Sequence, residues 1–247
     1  MGIVTFSNAG GKIKGGDPIG SKNIGDIVTI KEGSTSVNFV IIHKGRPSTL
    51  YSVDFSNTVT LLRQDVLPTR MWGTYGSTYQ NSAIHEWLNN SESGYISTVE
   101  QNIRFFIVPV RVPFVSAPGP TTAVSSNQNG LFCRVFLPSM IEVGFDSTMD
   151  STNILTDGDK FDWFIAGAAG DASIRRIANR AGSAVAWWLR SPLAGYNSYA
   201  WVVRSNGNRD NQGDMPATTQ YGPRPAFVLP NTILVKSDGA LIPEFSF

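Results

Sequence analysis

The stretch that decides the fold is Trp187-Trp188-Leu189-Arg190-Ser191-Pro192. Its indole rings and leucine predict a strand over residues 185–190 that contributes large buried side chains to a small, loop-rich core, together with Trp201. Arg190 fits such a place only where hydrogen bonds satisfy its guanidinium group. We therefore expect Arg190, and likewise Arg224, to tie loops together inside the protein rather than to contact a ligand.

Outward from this stretch, short apolar runs alternate with turn residues. Strands are predicted over residues 27–30, 37–43, 58–63, 131–137, 199–205, 226–229 and 233–236. Helices are predicted over residues 82–88 and 95–102, and a capping box at Ser139 and Glu142 predicts a single helical turn. Long irregular segments are expected at residues 116–130 and 206–221. The pattern predicts an α+β domain with a twisted, mostly antiparallel sheet, two short helices and long loops.

Composition excludes several classes of protein. The 247 residues are 41% hydrophobic and carry a net charge of +1, without a run of basic residues that would bind nucleic acid or an anionic membrane. The longest apolar run, residues 105–110, is far shorter than the roughly 20 residues of a membrane span. The N-terminal residues lack a basic segment followed by an apolar one, so no signal peptide is expected.

Few residues could carry chemistry. Cys133 alternates with Leu131 and Val135 and is expected to be a buried small hydrophobic residue, although a Cys–His nucleophile is the alternative. His43 and His85 lie too far apart in sequence to predict a shared metal site, and no metal or other cofactor is expected. Loosely clustered aspartates could form a calcium loop or a solvated turn; they are Asp146, Asp150, Asp157, Asp159 and Asp162. A carboxylate pair for glycoside hydrolysis stays open, because its spacing depends on the fold.

The chain is divided into three parts by its composition. Residues 1–22 contain six glycines and few large apolar side chains, so we expect an N-terminal arm that neighbouring chains of an assembly hold in place. An arm folded back on its own domain is the alternative. Residues 23–236 form the domain, and residues 237–247 form a C-terminal tail.

The Trp187–Pro192 stretch, the following run from Tyr199 to Gly207 and the run Tyr221-Gly-Pro-Arg-Pro-Ala226 resemble the signature of an uncharacterised domain family. That family is common in Gram-positive gut bacteria and in their phages and prophages. The resemblance covers roughly residues 23–236 and implies a C-type-lectin-like scaffold, shared with formylglycine-generating enzymes and with retroelement-diversified binding proteins of phages. Enzymes of that scaffold use a cysteine pair or three histidines, which one cysteine and two histidines cannot supply.

The resemblance therefore implies a non-enzymatic virion protein, in the tail, the baseplate or a capsid appendage, that displays a lectin-like domain to the host surface. Its expected partners are other virion proteins, through residues 1–22, and a host cell-surface glycan or protein; a homo-oligomer within an assembly is expected. The alternatives are a carboxylate-dependent hydrolase of cell-wall glycans and a bacterial surface adhesin module.

A ligand surface is predicted between the signature strands, where Tyr, Asn, Ser, Gly, Asp and Arg are frequent. The same residues are common in ordinary turns. Aromatic faces and amides suit a sugar or peptide ligand, and Trp201 is either a core anchor or an exposed platform. The predicted ligand-binding residues are Tyr196, Asn197, Tyr199, Trp201, Asn208, Arg209 and Asn211.

Overall fold

Short strands and a few small helices make up the protein. A computed structural model describes residues 16–116, 123–145, 155–165, 171–216 and 220–242. In chain order the strands are β1 (Asp17–Pro18), β2 (Ile27–Glu32), β3 (Thr35–Lys44), β4 (Thr58–Arg63), β5 (Val110–Val112), β6 (Phe114–Val115), β7 (Val124–Ser125), β8 (Leu131–Cys133), β9 (Val135–Phe136), β10 (Ala178–Arg180), β11 (Ser183–Val185), β12 (Trp187–Pro192), β13 (Tyr199–Val203), β14 (Arg209–Asp214), β15 (Ala226–Pro230), β16 (Leu234–Val235) and β17 (Leu241–Ile242). The α-helices are α1 (Ala83–Asn89), α2 (Tyr95–Thr98), α3 (Gln101–Arg104), α4 (Asp162–Ile165) and α5 (Asp171–Arg176).

The largest sheet has five antiparallel strands in the order β2-β3-β4-β15-β9. Its middle strands are buried on both faces: Thr58 to Leu62 of β4 and Ala226 to Leu229 of β15 are all buried. β15 is a continuous apolar run, as expected of a strand that is covered on both sides. This buried sheet forms the centre of the fold, and the loops extend from it.

A second antiparallel sheet, β12-β13-β14, carries the deciding stretch. Trp187 pairs with Val203 and Trp188 with Val202, so the predicted strands meet directly. The prediction of an irregular segment over residues 206–221 is wrong at β14, which pairs with β13 from Arg209 to Asp214. Asn, Asp and Gly are weak strand formers, and here pairing with an apolar neighbour outweighs that preference.

Tryptophan side chains anchor the core around this sheet. Trp72, Trp187, Trp188 and Trp201 are all buried, Trp201 with only 2% of its surface exposed. The indole N–H groups still find acceptors: Trp72 donates to the Leu189 carbonyl at 2.8 Å and Trp187 to that of Arg176 at 2.9 Å. Trp201 is therefore a core anchor and not an exposed platform.

The two predicted helices exist, with changes. In α1 the Ser82 hydroxyl caps the helix by accepting the His85 N–H at 3.2 Å. The second prediction, residues 95–102, divides into α2 and α3 because Val99 and Glu100 adopt non-helical backbone angles. The short helices α4 and α5 were not predicted.

Parts of the predicted N-terminal arm and C-terminal tail are paired with strands of the domain, which the sequence did not indicate. Residues 16–22 of the predicted arm join the fold: β1 pairs with β16 and Ile19 is fully buried. Residues 1–15 lie outside the described part of the chain. In the predicted tail, β17 pairs with β16, and residues 243–247 are again outside the described part.

The predicted irregular segment at residues 116–130 is described only in part, since residues 117–122 lie outside. Its remainder includes β7, which pairs with β6, and a 3-10 helix at Asn127–Asn129. All pairs between the named strands are antiparallel, so the α+β class with mostly antiparallel sheets is confirmed. Among the described helices, none has the length and apolar character needed to cross a membrane.

Candidate functional site

An open cleft of about 540 Å³ lies beside β14, the outer strand of the β12-β13-β14 sheet. It has the size of a small-molecule site. Three tyrosines and two aspartates dominate its wall. The lining residues are Tyr75, Ser198, Tyr199, Asp210, Asp214, Gln220 and Tyr221.

Backbone hydrogen bonds hold the segments of the cleft together. The Met215 N–H donates to the Ser198 carbonyl at 3.0 Å, and the Gly76 N–H donates to the Asn197 carbonyl at 2.6 Å. Tyr199 and Asp214 are directly opposed in the β13-β14 ladder. The cleft is therefore built on paired strands rather than on independent loops.

The floor of the cleft rests on the tryptophan core. The ring of Tyr221 meets that of Trp188 edge to face with centroids 4.8 Å apart. The Trp188 indole N–H in turn donates to the Arg70 carbonyl at 2.8 Å. Buried rings with fixed hydrogen bonds leave Tyr221 little freedom to move, which preorganises this wall.

Charge in the cleft is set by its aspartates. The charge of the Asp214 carboxylate raises the pKa of the Tyr75 hydroxyl above its ordinary value. Burial, followed by the charge of Asp210, raises the pKa of Tyr221. Arg204 is paired with Asp210 at 2.9 Å between Nε and Oδ2. Tyr75 and Tyr221 therefore stay neutral at physiological pH in a field that disfavours further negative charge.

The structure brings only some of the predicted ligand-binding residues to this cleft. Tyr199 lines it, and the exposed Tyr196 ring lies 6.5 Å from that of Tyr199 between centroids. Asn197 is exposed and adjoins the lining residue Ser198. For these residues ligand binding stays a prediction.

The other predicted residues are placed away from the cleft wall. Trp201 is buried in the core, so it has no surface to offer a ligand. Asn208 is exposed in the turn before β14, where its N–H donates to the Asn206 side chain at 3.1 Å. Arg209 and Asn211 are half-buried in β14 and are not among the residues that line the cleft.

Four main contributors to the cleft were not predicted from the sequence: Tyr75, Asp210, Asp214 and Tyr221. Tyr221 begins the signature run that ends at Ala226. The two aspartates lie in the polar run between the signature strands, whose composition predicts a ligand surface. These signals were present but did not distinguish the residues from their neighbours. Tyr75 belongs to a distant loop and carried no signal.

A second cluster of charged residues is buried at the centre of the molecule. Arg190 binds both carboxylate oxygens of Glu142 and also donates to the Pro113, Leu137 and Asp157 carbonyls. Burial opposes the charge of Arg190, yet Glu142 raises its pKa above the ordinary value. Arg190 therefore ties loops together as expected.

The same cluster explains two further predictions. Ser139 and Glu142 form the predicted capping box, with reciprocal backbone-to-side-chain bonds of 2.9 and 3.2 Å. Asp157, expected in a calcium loop or a solvated turn, is instead fully buried and accepts the Ser191 hydroxyl at 2.7 Å. Asp146 and Asp150 lie outside the described residues.

Arg224 is buried as expected, beneath aromatic rings. Its Nε donates to the Arg63 carbonyl at 2.8 Å, and its guanidinium lies 5.1 Å from the centroid of the Trp187 ring. Burial lowers the pKa of Arg224 to about 9. Hydrogen bonding and cation–π contact together replace part of the lost hydration.

The remaining reactive residue types are embedded in the fold. Cys133 is buried and burial raises its pKa to about 12, so its thiol stays protonated as predicted for a packing residue. His43 pairs with Asp162 through Nδ1 at 2.9 Å, and His85 lies on α1. Across the described ranges, no three His, Cys, Asp or Glu side chains are grouped to hold a metal ion.

Comparison with known proteins identifies the family of this chain. Residues 56–231 match the family described as "Domain of unknown function (DUF6273)", and the chain therefore belongs to this family. The matched region contains every residue that lines the cleft. No curated protein and no solved structure matches the chain.

Proposed function

We propose that this protein is a non-enzymatic binding module that recognises a ligand on a host cell surface through the Tyr75–Tyr221 cleft, meaning the cleft lined by the three tyrosines and two aspartates. The observation that carries the proposal is this set of exposed and half-exposed aromatic and carboxylate groups, held on paired strands over a rigid core. Recognition sites combine such aromatic surface with a few fixed polar groups.

For its setting we propose a virion structural protein of a phage or prophage, with a C-type-lectin-like domain displayed outward. The resemblance of the signature strands to the phage-associated family supports this setting. The glycine-rich composition of the N-terminal residues supports a role for them in attachment to other virion proteins. The antiparallel α+β architecture is compatible with a lectin-like domain.

A carboxylate-dependent hydrolase is the second candidate, because Asp210 and Asp214 line one cleft. Glycoside hydrolysis needs one carboxyl group that is protonated and one that is ionised. Asp210 is already engaged in an ion pair with Arg204 at 2.9 Å. The same cleft presents three tyrosine rings, which supply the aromatic surface of a recognition site, so binding is the better-supported function.

The binding test uses the purified chain labelled with a fluorophore and cells of bacterial strains that the encoding phage or prophage infects. We expect Tyr199→Ala to weaken binding by about 1–3 kcal/mol, roughly 5- to 150-fold in dissociation constant, because it removes one aromatic wall of the cleft. Phe105→Ala is the matched control, since this ring is also exposed but lies outside the cleft.

Asn208→Ala distinguishes the cleft from the wider loop surface. Asn208 does not line the cleft, so binding should survive this change if the cleft is the site. Equal losses in Tyr199→Ala and Phe105→Ala, or release of sugar from cell walls that Asp214→Asn abolishes, would contradict the proposal. Absence of the protein from purified particles, measured by mass spectrometry, would contradict the virion setting.

A further inference from the structure

The aromatic rings and carboxylates of the Tyr75–Tyr221 cleft favour one charge type in a ligand. Of the seven described residues that line the cleft, two are aspartates and none is Lys, Arg or His. Arg204 pairs with Asp210, whereas no salt bridge among the described residues involves Asp214. The Asp214 end of the cleft is therefore anionic.

The tyrosine rings, like the carboxylates, favour a positively charged ligand. An aromatic face carries partial negative charge and attracts a cation placed over it. Tyr75, Tyr199 and Tyr221 contribute three such rings to one space, and Tyr75 is 62% exposed and accessible to a ligand. A neutral sugar would stack on the rings and donate hydroxyl hydrogen bonds to the carboxylates but would gain no charge attraction, whereas an anion would be repelled by them.

We propose that the Tyr75–Tyr221 cleft binds an organic ammonium group, with Asp214 opposite the positive charge and the tyrosine rings around it. This inference rests on the proposed binding function and adds the chemical class of the ligand. Methylated and primary ammonium groups share the recognised chemistry. A methylated group suits the rings better, because its charge is spread over an apolar surface.

The test measures binding of choline chloride to the full chain by isothermal titration calorimetry at constant ionic strength. Three probes are compared: choline, its neutral isostere 3,3-dimethyl-1-butanol, and ethanolamine as a primary ammonium. We expect choline to bind at least about tenfold more tightly than the neutral isostere, since only the charge differs. The ratio of the dissociation constants of choline and ethanolamine shows whether the cleft prefers a methylated or a primary ammonium group.

Two variants connect this binding to the cleft. Asp214→Asn keeps the side chain's size but removes its charge, so choline should bind about tenfold more weakly while the neutral isostere is unaffected. Asp54→Asn is the control, because Asp54 is exposed and does not line the cleft. Tyr199→Phe should retain choline binding, because the ring persists, and Tyr199→Ala should lose it. Unchanged circular dichroism and melting temperature establish that each variant is folded.

Three outcomes would overturn the inference: equal affinity for choline and its isostere, loss of choline binding in Asp54→Asn as in Asp214→Asn, or no choline binding by the folded wild type. The proposed function is tested separately by cell binding. If cells are bound through Tyr199 and choline does not compete, the cleft binds another ligand class and the ammonium inference alone fails. If choline binds and cells do not, the host-surface function alone fails.

Discussion

Two titratable side chains, the half-buried His85 and the buried Asp157, make the stability of the fold respond to acid in opposite directions. Burial lowers the pKa of His85 to about 4 and raises the pKa of Asp157 to about 6. The unfolded chain protonates a histidine near pH 6.5, so stability from neutral His85 is full above that pH and is lost as the pH falls toward 4. Asp157 stays protonated in the fold up to about pH 6, so its contribution is full below pH 3.8 and is lost as the pH rises.

His85→Leu should separate these effects. Between pH 7 and pH 5 the His85 term removes about 2 kcal/mol from the free energy of unfolding, and the variant should lack this loss. Asp157→Asn should lack the opposing gain of about 1 kcal/mol over the same range. Urea denaturation of the wild type and both variants at the two pH values measures the terms. A pH response of His85→Leu identical to that of the wild type would show that the histidine is not protonated on unfolding.

At the scale of elements, the buried ion pair decides how the loops are placed. Arg190 lies on β12, binds Glu142 of the 139–142 turn and donates to the carbonyls of Pro113 and Asp157. Its side chain therefore connects β12 with three other segments. Removing one partner of a buried pair leaves an uncompensated charge. Lysine keeps the charge but cannot form the two-pronged contact with Glu142.

Arg190→Lys should therefore lower the free energy of unfolding by about 3 kcal/mol or more. The matched control is Arg180→Lys at a half-buried position of β10, which should change it by less than about 0.5 kcal/mol. Chemical denaturation followed by tryptophan fluorescence measures both. A loss below 1 kcal/mol in Arg190→Lys would mean that water or relaxed loops replace the guanidinium contacts.

Elements with a strong local pattern could be predicted from the sequence, and those that depend on a partner could not. β4 lies where its apolar run predicted it, over Thr58–Arg63. β14 carries Asp, Asn and Gly and becomes a strand only because β13 supplies its hydrogen-bonding partner. The non-helical backbone angles at Val99 and Glu100, which divide the second helix, likewise had no sequence signal.

At the scale of the whole molecule, the cleft forms where distant parts of the chain meet. Tyr75 and Tyr221 are separated by most of the domain, and no local pattern predicts that their rings line one space. Tyr199 was predicted because it lies between the signature strands. The sequence thus indicated one wall of the candidate site, while its charge and its other walls follow from tertiary packing.

Tertiary contacts also show where the domain begins. Ile19 is fully buried, its N–H donates to the Ile233 carbonyl at 2.6 Å, and the Gly20 N–H donates to the Asn231 carbonyl at 2.9 Å. Lys44 also donates to the Gly20 carbonyl at 3.0 Å. These contacts make residues 16–22 part of the domain, so an arm that serves only for attachment would have to end before them.

Deletion of residues 1–22 should therefore lower the free energy of unfolding by about 2–5 kcal/mol relative to deletion of residues 1–15, because only the longer deletion removes Ile19 and its hydrogen bonds. Ile19→Ala in the full chain should reproduce much of this loss. Ile174→Ala, at an exposed isoleucine, is the control and should change the free energy of unfolding by less than about 0.5 kcal/mol. Equal stability of the two deletions would contradict a domain that starts before residue 22.

Deletion of residues 1–15 spares these contacts, so this variant is the one with which to test incorporation into particles. If the folded variant fails to enter particles, residues 1–15 carry the attachment. If it is incorporated normally, the domain surface carries the attachment.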